Sequence, residues 1–466
     1  MELINVLATR IELYETTFNI SLNWIGNLIR LLISGVSVVG VGIILFSLIL
    51  KLVVLPFDIY QRIAMRKQNI KMKENQEKMA KLQKQYANDK AMYNQKLMEM
   101  YKESGISMFS SCLPMILSLV IFIVAINAFN AYSEFANVQG YNKMAQIYTA
   151  CLEQYCPELD DSNTTLSVTD DGTTITVNDG DALIYYTLPV PANGVDYKAN
   201  DYAYIRTYTD YTTKFFYIDE TKADGNADIQ QYLTAAQAAA AEANVAYSKE
   251  DALRQYFIEQ GQTAVKENYK SEVRSDTKFL WIKNVWYTDA SYKHPVSSYS
   301  EFESTVKKED FKIDGKKVSY TETKTRTNVY TKEAYENITG KLTAEKKEAN
   351  GYYILIVLSI GTILLQQFVM MHSQKEQQKF SSVDGQGAAN QKMMLVIMTV
   401  MFGIFSFMYS SAFSLYMITS NLFSLGATLI INKVVDVVMA KKEAAALQEK
   451  YNQRFPGRSN NKDGKK

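Results

Sequence analysis

The apolar positions of this chain are gathered into blocks. Leu31 to Leu50 carries no charge, and after Lys51 the chain reads Leu52-Val53-Val54-Leu55-Pro56-Phe57 before Asp58. Four further stretches, Met108 to Ala131, Tyr352 to Met371, Met393 to Tyr409 and Phe413 to Val434, are long and apolar enough to be membrane-embedded. Upstream, Leu22, Ile25, Leu28, Ile29 and Leu32 recur at helical spacing with Asn23, Asn27 and Arg30 opposite. That is the pattern of a helix lying flat at a membrane interface. If this helix runs to about Leu32, the first span starts near Gly35. A further 20 or so residues at about 1.5 Å each carry it to Phe57, with Lys51 inside it. The pattern predicts an all-α polytopic membrane protein with five transmembrane helices, at 35–57, 108–131, 351–371, 393–409 and 413–434. The last two are joined only through Ser410, Ser411 and Ala412, so they should form a tight membrane hairpin.

The polar remainder divides accordingly. Residues 1–34 form an N-terminal segment with the interfacial helix. In 58–107, Met72, Met79 and Leu82, then a break at Ala87-Asn88-Asp89, then Met92, Leu97, Met98 and Tyr101 predict a helical hairpin. Such a hairpin reads equally as a solvated helix pair and as a basic, adaptable surface for apolar segments. The insert 132–350 reads as α+β. Alternating runs around Asp171-Gly172 and Asp179-Gly180 predict hairpins within Asn163 to Tyr217. An alanine-rich helix over Ala227 to Ala246 follows, then a second, opened by Ser248-Lys-Glu-Asp251 and stopping near Gly261. A loop, 372–392, and a basic tail, 435–466, complete the chain.

Charge supplies orientation. Residues 58–107 hold eleven basic and six acidic side chains, whereas 132–350 hold 24 basic and 34 acidic. The basic loop, the 372–392 loop and the tail are therefore expected in the cytoplasm, with the N-terminus outside and the C-terminus inside. No cleavable signal is expected, because the first apolar run begins near residue 31 and no small-residue cleavage site follows it. Cys151 and Cys156 share the exported insert, where a disulfide between them and two free thiols are both open.

The chemistry is sparse. With His294 and His372 alone, a histidine metal site or a Ser-His-Asp triad lacks material. No HExxH, phosphate-binding glycine-lysine loop, GxGxxG or GxSxG is present, so neither an enzyme nor a cofactor or metal is indicated. Lys51 stands out, because an ammonium at bilayer depth costs about 2.5 to 3.5 kcal/mol and is kept where it has a task. The competing reading is a lysine that snorkels to the headgroups. Ser47 lies one turn away on the same face, but helical neighbours do not by themselves make a serine–lysine pair. Asn127, Gln366, Gln367, Ser406, Thr419, Ser420 and Asn421 place polar groups in the other spans. Singly they read as interhelical glue. Converging with Lys51, they would line a wet cavity in which the ammonium stays charged.

The run from Gly40 through Lys51 to Pro56 resembles the first core span of the YidC-type membrane protein insertases, the family shared with the mitochondrial Oxa and chloroplast Alb insertases. Tyr101-Lys-Glu-Ser-Gly105 leading to Ser111-Cys112-Leu113-Pro114 is similar to their approach to the second span. Phe279-Leu280-Trp281-Ile282-Lys283-Asn284 and Asn350-Gly351-Tyr352-Tyr353-Ile354-Leu355 resemble the segments before and at the start of their third. Ser414-Leu415-Tyr416-Met417-Ile418-Thr419-Ser420-Asn421-Leu422-Phe423 is similar to the signature of their last.

The resemblance implies a five-helix bundle around a hydrophilic groove, open to lipid and cytosol and closed outside, with Lys51 as its cation where the family more often has arginine. It places Gln366 or Gln367 as the groove glutamine, and Met417 where the last span often carries an aromatic. It implies an insertase and chaperone that passes nascent membrane proteins into membrane lipids, alone or with the Sec translocon. The basic tail is expected to meet ribosomal RNA or to serve as a positive-inside anchor. Two other classes are weighed: a transporter using Lys51 as counter-ion to an anionic solute, and a sensor whose exported domain binds a ligand. The long insert from about Tyr141 to Thr277 has no counterpart in the resemblance.

Overall fold

The computed structural model describes residues 8–14, 19–20, 22–105, 109–154, 164–168, 174–179, 182–189, 214–219, 223–309, 311–313, 316–320, 328–373 and 386–454. Strands β1 (Ala8–Leu13) and β2 (Asn19–Ile20) precede helices α1 (Trp24–Ser34), α2 (Val39–Glu74), α3 (Gln76–Gln85), α4 (Lys90–Glu103) and α5 (Phe109–Glu153). Strands β3 (Thr164–Val168), β4 (Thr174–Asp179), β5 (Ala182–Pro189) and β6 (Lys214–Asp219) lead to α6 (Ala227–Glu242) and α7 (Lys249–Asn268), which ends in a π-turn at Tyr269–Val273. Then come α8 (Tyr299–Val306), β7 (Phe311–Ile313), β8 (Lys316–Val318), α9 (Lys332–Thr339), α10 (Ile354–Ser373), α11 (Gln386–Met408) and α12 (Ser411–Arg454). Two compact units result, one of Met1–Leu31 with Asn130–Tyr352, the other of Leu32–Phe129 with Tyr353–Lys466.

The second unit is helical. Three of its helices are long and apolar enough to cross a membrane among the described residues: Val39–Glu74, Ile354–His372 and Ser411–Arg454. The other two expected spans lie on α5 and α11. Residues 106–108 and the side chains of 109–119 are outside the described part, and α11 contributes the shorter apolar helix Thr399–Met408.

Two of these helices continue well past the expected span ends. Helix α2 runs through Pro56, which leaves the Leu52 carbonyl without its amide partner. The Gln, Arg, Met, Lys and Ala residues beyond it are good helix formers, so the polarity change near Asp58 is no stop signal. The helix ends at Asn75, whose amide and side-chain nitrogens both donate to the Lys71 carbonyl, at 3.2 and 2.9 Å. Likewise α12 passes residue 434 and reaches Arg454 through an Ala-, Lys- and Glu-rich stretch.

Between α3 and α4 the chain turns at Tyr86–Asp89, and Asp89 caps α4 by accepting the Met92 amide at 3.0 Å. Met72, Met79, Met100 and Tyr101 form a small core there with Leu82 and Leu97, while Met92 and Met98 are exposed.

The first unit contains mixed elements. β1 pairs antiparallel with β6, β2 with β7 and β7 with β8, and β3, β4 and β5 form an antiparallel sheet of their own. Helix α5 continues to Glu153 because Tyr141, Met144, Ala145, Tyr148 and Leu152 keep a buried stripe at helical spacing. Helix α7, capped by Ser248 accepting the Asp251 amide at 3.1 Å, does not stop at Gly261. A Cβ there would lie 2.5 Å from the Tyr148 ring, so this glycine allows close approach and does not end the helix.

Tyrosines dominate this core. Tyr141 stacks on Tyr335 at 5.4 Å and donates to the Val329 carbonyl at 2.6 Å, and Tyr330 donates to Asn142 Oδ1 at 3.1 Å. Burial pushes these phenols above their usual range. Cys151 is a thiol 3.7 Å from the Gln260 carbonyl. Cys156, with which a disulfide is one of two open readings, lies outside the described residues.

Candidate substrate groove

Helix α2 presents two kinds of face. Val41, Leu45, Ile49, Leu52 and Val53 are exposed, whereas Val39, Ile43, Phe46 and Ser47 are buried. Asp58 and Arg62 each fall within about 20° of Lys51 around the helix, on either side of it, given 3.6 residues per turn. All three are partly buried.

At the far end of that face the chemistry is explicit. Arg62 donates to Asn432 Oδ1 at 2.8 Å and to Thr428 Oγ1 at 2.6 Å, and Arg66 lies 3.6 Å from Asp436. Leu55, Ile63 and Ile70 pack beside these contacts against Ala427, Ile431, Val435 and Met439 of α12. The face carrying Lys51 is therefore the one that meets α12 further along. Lys51 itself makes no ion pair within 4 Å among the described residues.

The remaining sequence-selected residues separate by what they touch. Ser47 is fully buried and donates to the Ile43 carbonyl at 2.7 Å, so its proton is engaged by its own helix and not by Lys51. Gln367 Oε1 accepts from Thr399 Oγ1 at 3.0 Å, and Asn421 Nδ2 donates to Thr362 Oγ1 at 3.3 Å. Ser406 meets Ser359 at 2.9 Å. These three act as ties between α10 and its neighbours α11 and α12. Gln366 is half-buried and hydrogen-bonded to nothing among the described residues. Thr419 bonds the Leu415 carbonyl of its own helix at 2.9 Å, Ser420 is buried, and Asn127 is exposed on α5.

Met417 is buried, and the neighbouring Tyr416 supplies the ring at this part of α12, 5.3 Å from Phe129. That pair belongs to a larger cluster. Phe46 of α2 meets Phe129 edge-on at 5.5 Å, and Phe122 of α5 lies 4.6 Å from Phe402 of α11 and 5.7 Å from Phe413 of α12. Four helices thus share one aromatic plug.

Sequence reading did not select Arg62, Thr428 or Asn432. Their signal is the four-residue spacing of Arg62 with Arg66, matched by that of Thr428, Asn432 and Asp436.

The family model described as 60Kd inner membrane protein matches residues 31–161 and 263–442. The chain belongs to this family, that of the YidC insertases. One relative, "Membrane protein insertase YidC" of Clostridium tetani, is 36% identical over 109 residues, covering 23% of this chain and 45% of its own. The protein of the same description from Caldanaerobacter subterraneus subsp. tengcongensis is 35% identical over 113 residues, 24% of this chain and 53% of its own. That of Leptospira interrogans serovar Lai is 35% identical over 91 residues, 20% of this chain and 14% of its own. The chain thus spans about half the length of the first two relatives. No solved structure matches it. Family membership together with the apolar helices makes this YidC-family chain an integral membrane protein.

Proposed function

We propose that the chain is a membrane protein insertase in a bacterial plasma membrane, with five membrane helices, an α+β extracytoplasmic insert, its N-terminus outside and its C-terminus in the cytoplasm. The observation that carries the reading is the place of Lys51. It lies on the α2 face that turns toward α12, partly buried and without an ion pair within 4 Å among the described residues. An ammonium so placed is available to an incoming carboxylate. At an effective dielectric near 20, opposite charges about 4 Å apart attract by about 4 kcal/mol, enough to hold an acidic client segment briefly.

The client's apolar helix then leaves sideways into lipid, and hydrophobic transfer drives that step without a nucleotide. Gln366, Thr419, Ser420 and Asn127 join Lys51 in this account as polar groups that keep the groove hydrated, while Gln367 and Asn421 hold its wall. The α3–α4 pair, with Met92 and Met98 exposed, offers the client a cytoplasmic contact. The helical, basic end of α12, with Lys441, Lys442, Lys450 and Arg454, suits a ribosome surface. Whether the Sec translocon takes part is read from the same experiment.

That experiment places a photocrosslinker at position 51 and presents ribosome-bound nascent membrane proteins to vesicles carrying the protein, with and without Sec channels. Adducts to the client's leading segment support the reading, and adducts to lipid alone would sink it. Replacing strands β3 to β5 (164–189) by a short Gly-Ser linker separates insertase from ligand sensor, since an insertase keeps its core activity. Excision from Tyr141 would instead remove a buried core residue.

A further inference from the structure

In the unit of Met1–Leu31 and Asn130–Tyr352, residues 279–282 close a tight turn. The Phe279 amide donates to the Ile282 carbonyl at 3.0 Å and the Ile282 amide to the Phe279 carbonyl at 2.9 Å. Leu280, at the first tip position, has φ 53° and is 71% exposed. Both properties are unfavourable for leucine. The left-handed region suits glycine or asparagine, and an apolar side chain at this exposure gains nothing from its own chain.

The turn is also fastened at a particular place. The Lys283 amide donates to the Asn350 carbonyl at 3.1 Å and the Asn284 amide to Asn350 Oδ1 at 2.8 Å. Asn350 Nδ2 returns bonds to the Asn284 carbonyl at 3.0 Å and the Thr288 carbonyl at 2.9 Å. Asp289 Oδ1 accepts the Tyr352 amide at 2.7 Å. Asn350 and Tyr352 immediately precede Ile354, where a helix long and apolar enough to cross a membrane begins. Leu280 is thus tied to the chain beside a bilayer crossing.

The other large apolar side chains exposed on this unit, Val245 apart, share that setting. Trp24, Leu28 and Leu31 belong to α1, Tyr352 is at the crossing itself, and Tyr292 lies between Ala290 and Lys293, whose carbonyls accept the Gly351 and Asn350 amides at 3.3 and 2.7 Å. Val245, in the turn between α6 and α7, has no such tether.

We infer that Leu280 is a lipid-seated wedge, inserted at the boundary of headgroups and acyl chains of the leaflet beside the start of α10, where it helps hold the unit on the bilayer. The occupant of this surface is phospholipid. The strained, exposed leucine recovers its burial in lipid, while backbone bonds to Asn350 fix its depth. The inference rests on α10 crossing the membrane and is independent of the insertase reading.

The test uses the full chain, with Cys112, Cys151 and Cys156 replaced by serine, in liposomes of phosphatidylcholine and phosphatidylglycerol. A nitroxide attached to Leu280→Cys is expected to collide with oxygen in preference to a polar nickel chelate, by a ratio several-fold above that of the same label on Val245→Cys. Equal ratios at the two sites would overturn the inference, as would a label at Leu280→Cys shielded from oxygen and chelate alike, the mark of a site covered by protein. A second readout leaves Leu280 in place. In a Trp24→Phe, Trp286→Phe chain, in which Trp281 beside the tip is the one tryptophan left, its fluorescence should be quenched by lipids carrying a shallow nitroxide more strongly than by aqueous iodide. The reverse order would overturn the inference equally.

Discussion

The guanidinium of Arg62 donates to Asn432 Oδ1 at 2.8 Å, joining residues 370 positions apart in the sequence. With the bond to Thr428 it makes two polar ties between α2 and α12. Polar contacts between membrane helices contribute about 0.6 kcal/mol on average, and hydrogen bonds to charged groups about 1.5 to 3 kcal/mol. Arg62→Ala is therefore expected to destabilise the protein by about 1 to 4 kcal/mol, measured by unfolding in mixed micelles. Arg62→Lys should restore less than half of this, because an ammonium lacks the fork that reaches two acceptors.

Lys51 is expected to act through charge. Lys51→Arg should keep insertion, whereas Lys51→Ala and Lys51→Glu should lower it, Lys51→Glu by about tenfold or more for clients with acidic leading segments, a change of about 1.4 kcal/mol. The measurement is protease protection of clients in membranes depleted of the native insertase. Unimpaired insertion by Lys51→Glu would remove the salt-bridge account. Full activity in both Lys51→Ala and Lys51→Gln would leave hydration as the role of the groove.

At Gly261 a Cβ would lie 2.5 Å from the Tyr148 ring, so the neighbour must move. Gly261→Ala should destabilise the unit by about 1 to 3 kcal/mol, the usual range for overpacking, despite the better helix propensity of alanine. A lowered midpoint in thermal unfolding checks this. An unchanged or raised midpoint would mean that the helix ends nearby and that the close approach is not present.

Glu348 supplies a pH dependence. Burial alone would raise its carboxyl, but bonds from Lys283 at 2.8 Å and Arg274 at 3.0 Å more than offset that and hold it below the usual 4.5. A depressed folded value means stability is present above the unfolded pKa and is lost as pH falls through the folded one. Unfolding midpoints should therefore drop as pH is lowered below about 4.3, the unperturbed glutamate value. Glu348→Gln should show a shallower drop. The groups facing this carboxyl are Arg274 and Lys283, with His294 bonded to the Glu348 backbone carbonyl at 2.9 Å.

What could be read in the sequence was whatever depends on local pattern. The cap at Ser248, the turn at Ala87-Asn88-Asp89 and the break around Ser410 each have a residue-level cause within a few positions, and each is found. Helix ends at membrane boundaries were not legible, because leaving lipid changes which residues are favoured without changing the backbone. Asp58 and Asp436 consequently sit inside α2 and α12. Gly261 was misread for a related reason, since a glycine signals a stop or a close approach and only Tyr148, 113 residues earlier, decides which. Among the candidate groove residues, the type of Gln367 and Asn421 was informative and their role was not. Thr399 and Thr362, their partners, are set by packing that no single segment encodes.

The interlocked rings of Phe46, Phe122, Phe129, Phe402, Phe413 and Tyr416 bear on ion leakage. Each of these contacts has a ring of α5, Phe122 or Phe129, as one partner, so displacing α2, α11 or α12 breaks only that helix's share, whereas displacing α5 releases them all. On the proposed insertase reading, a client that leaves past α2, α11 or α12 is therefore expected to spare the rings centred on α5, and with them the voltage across the membrane.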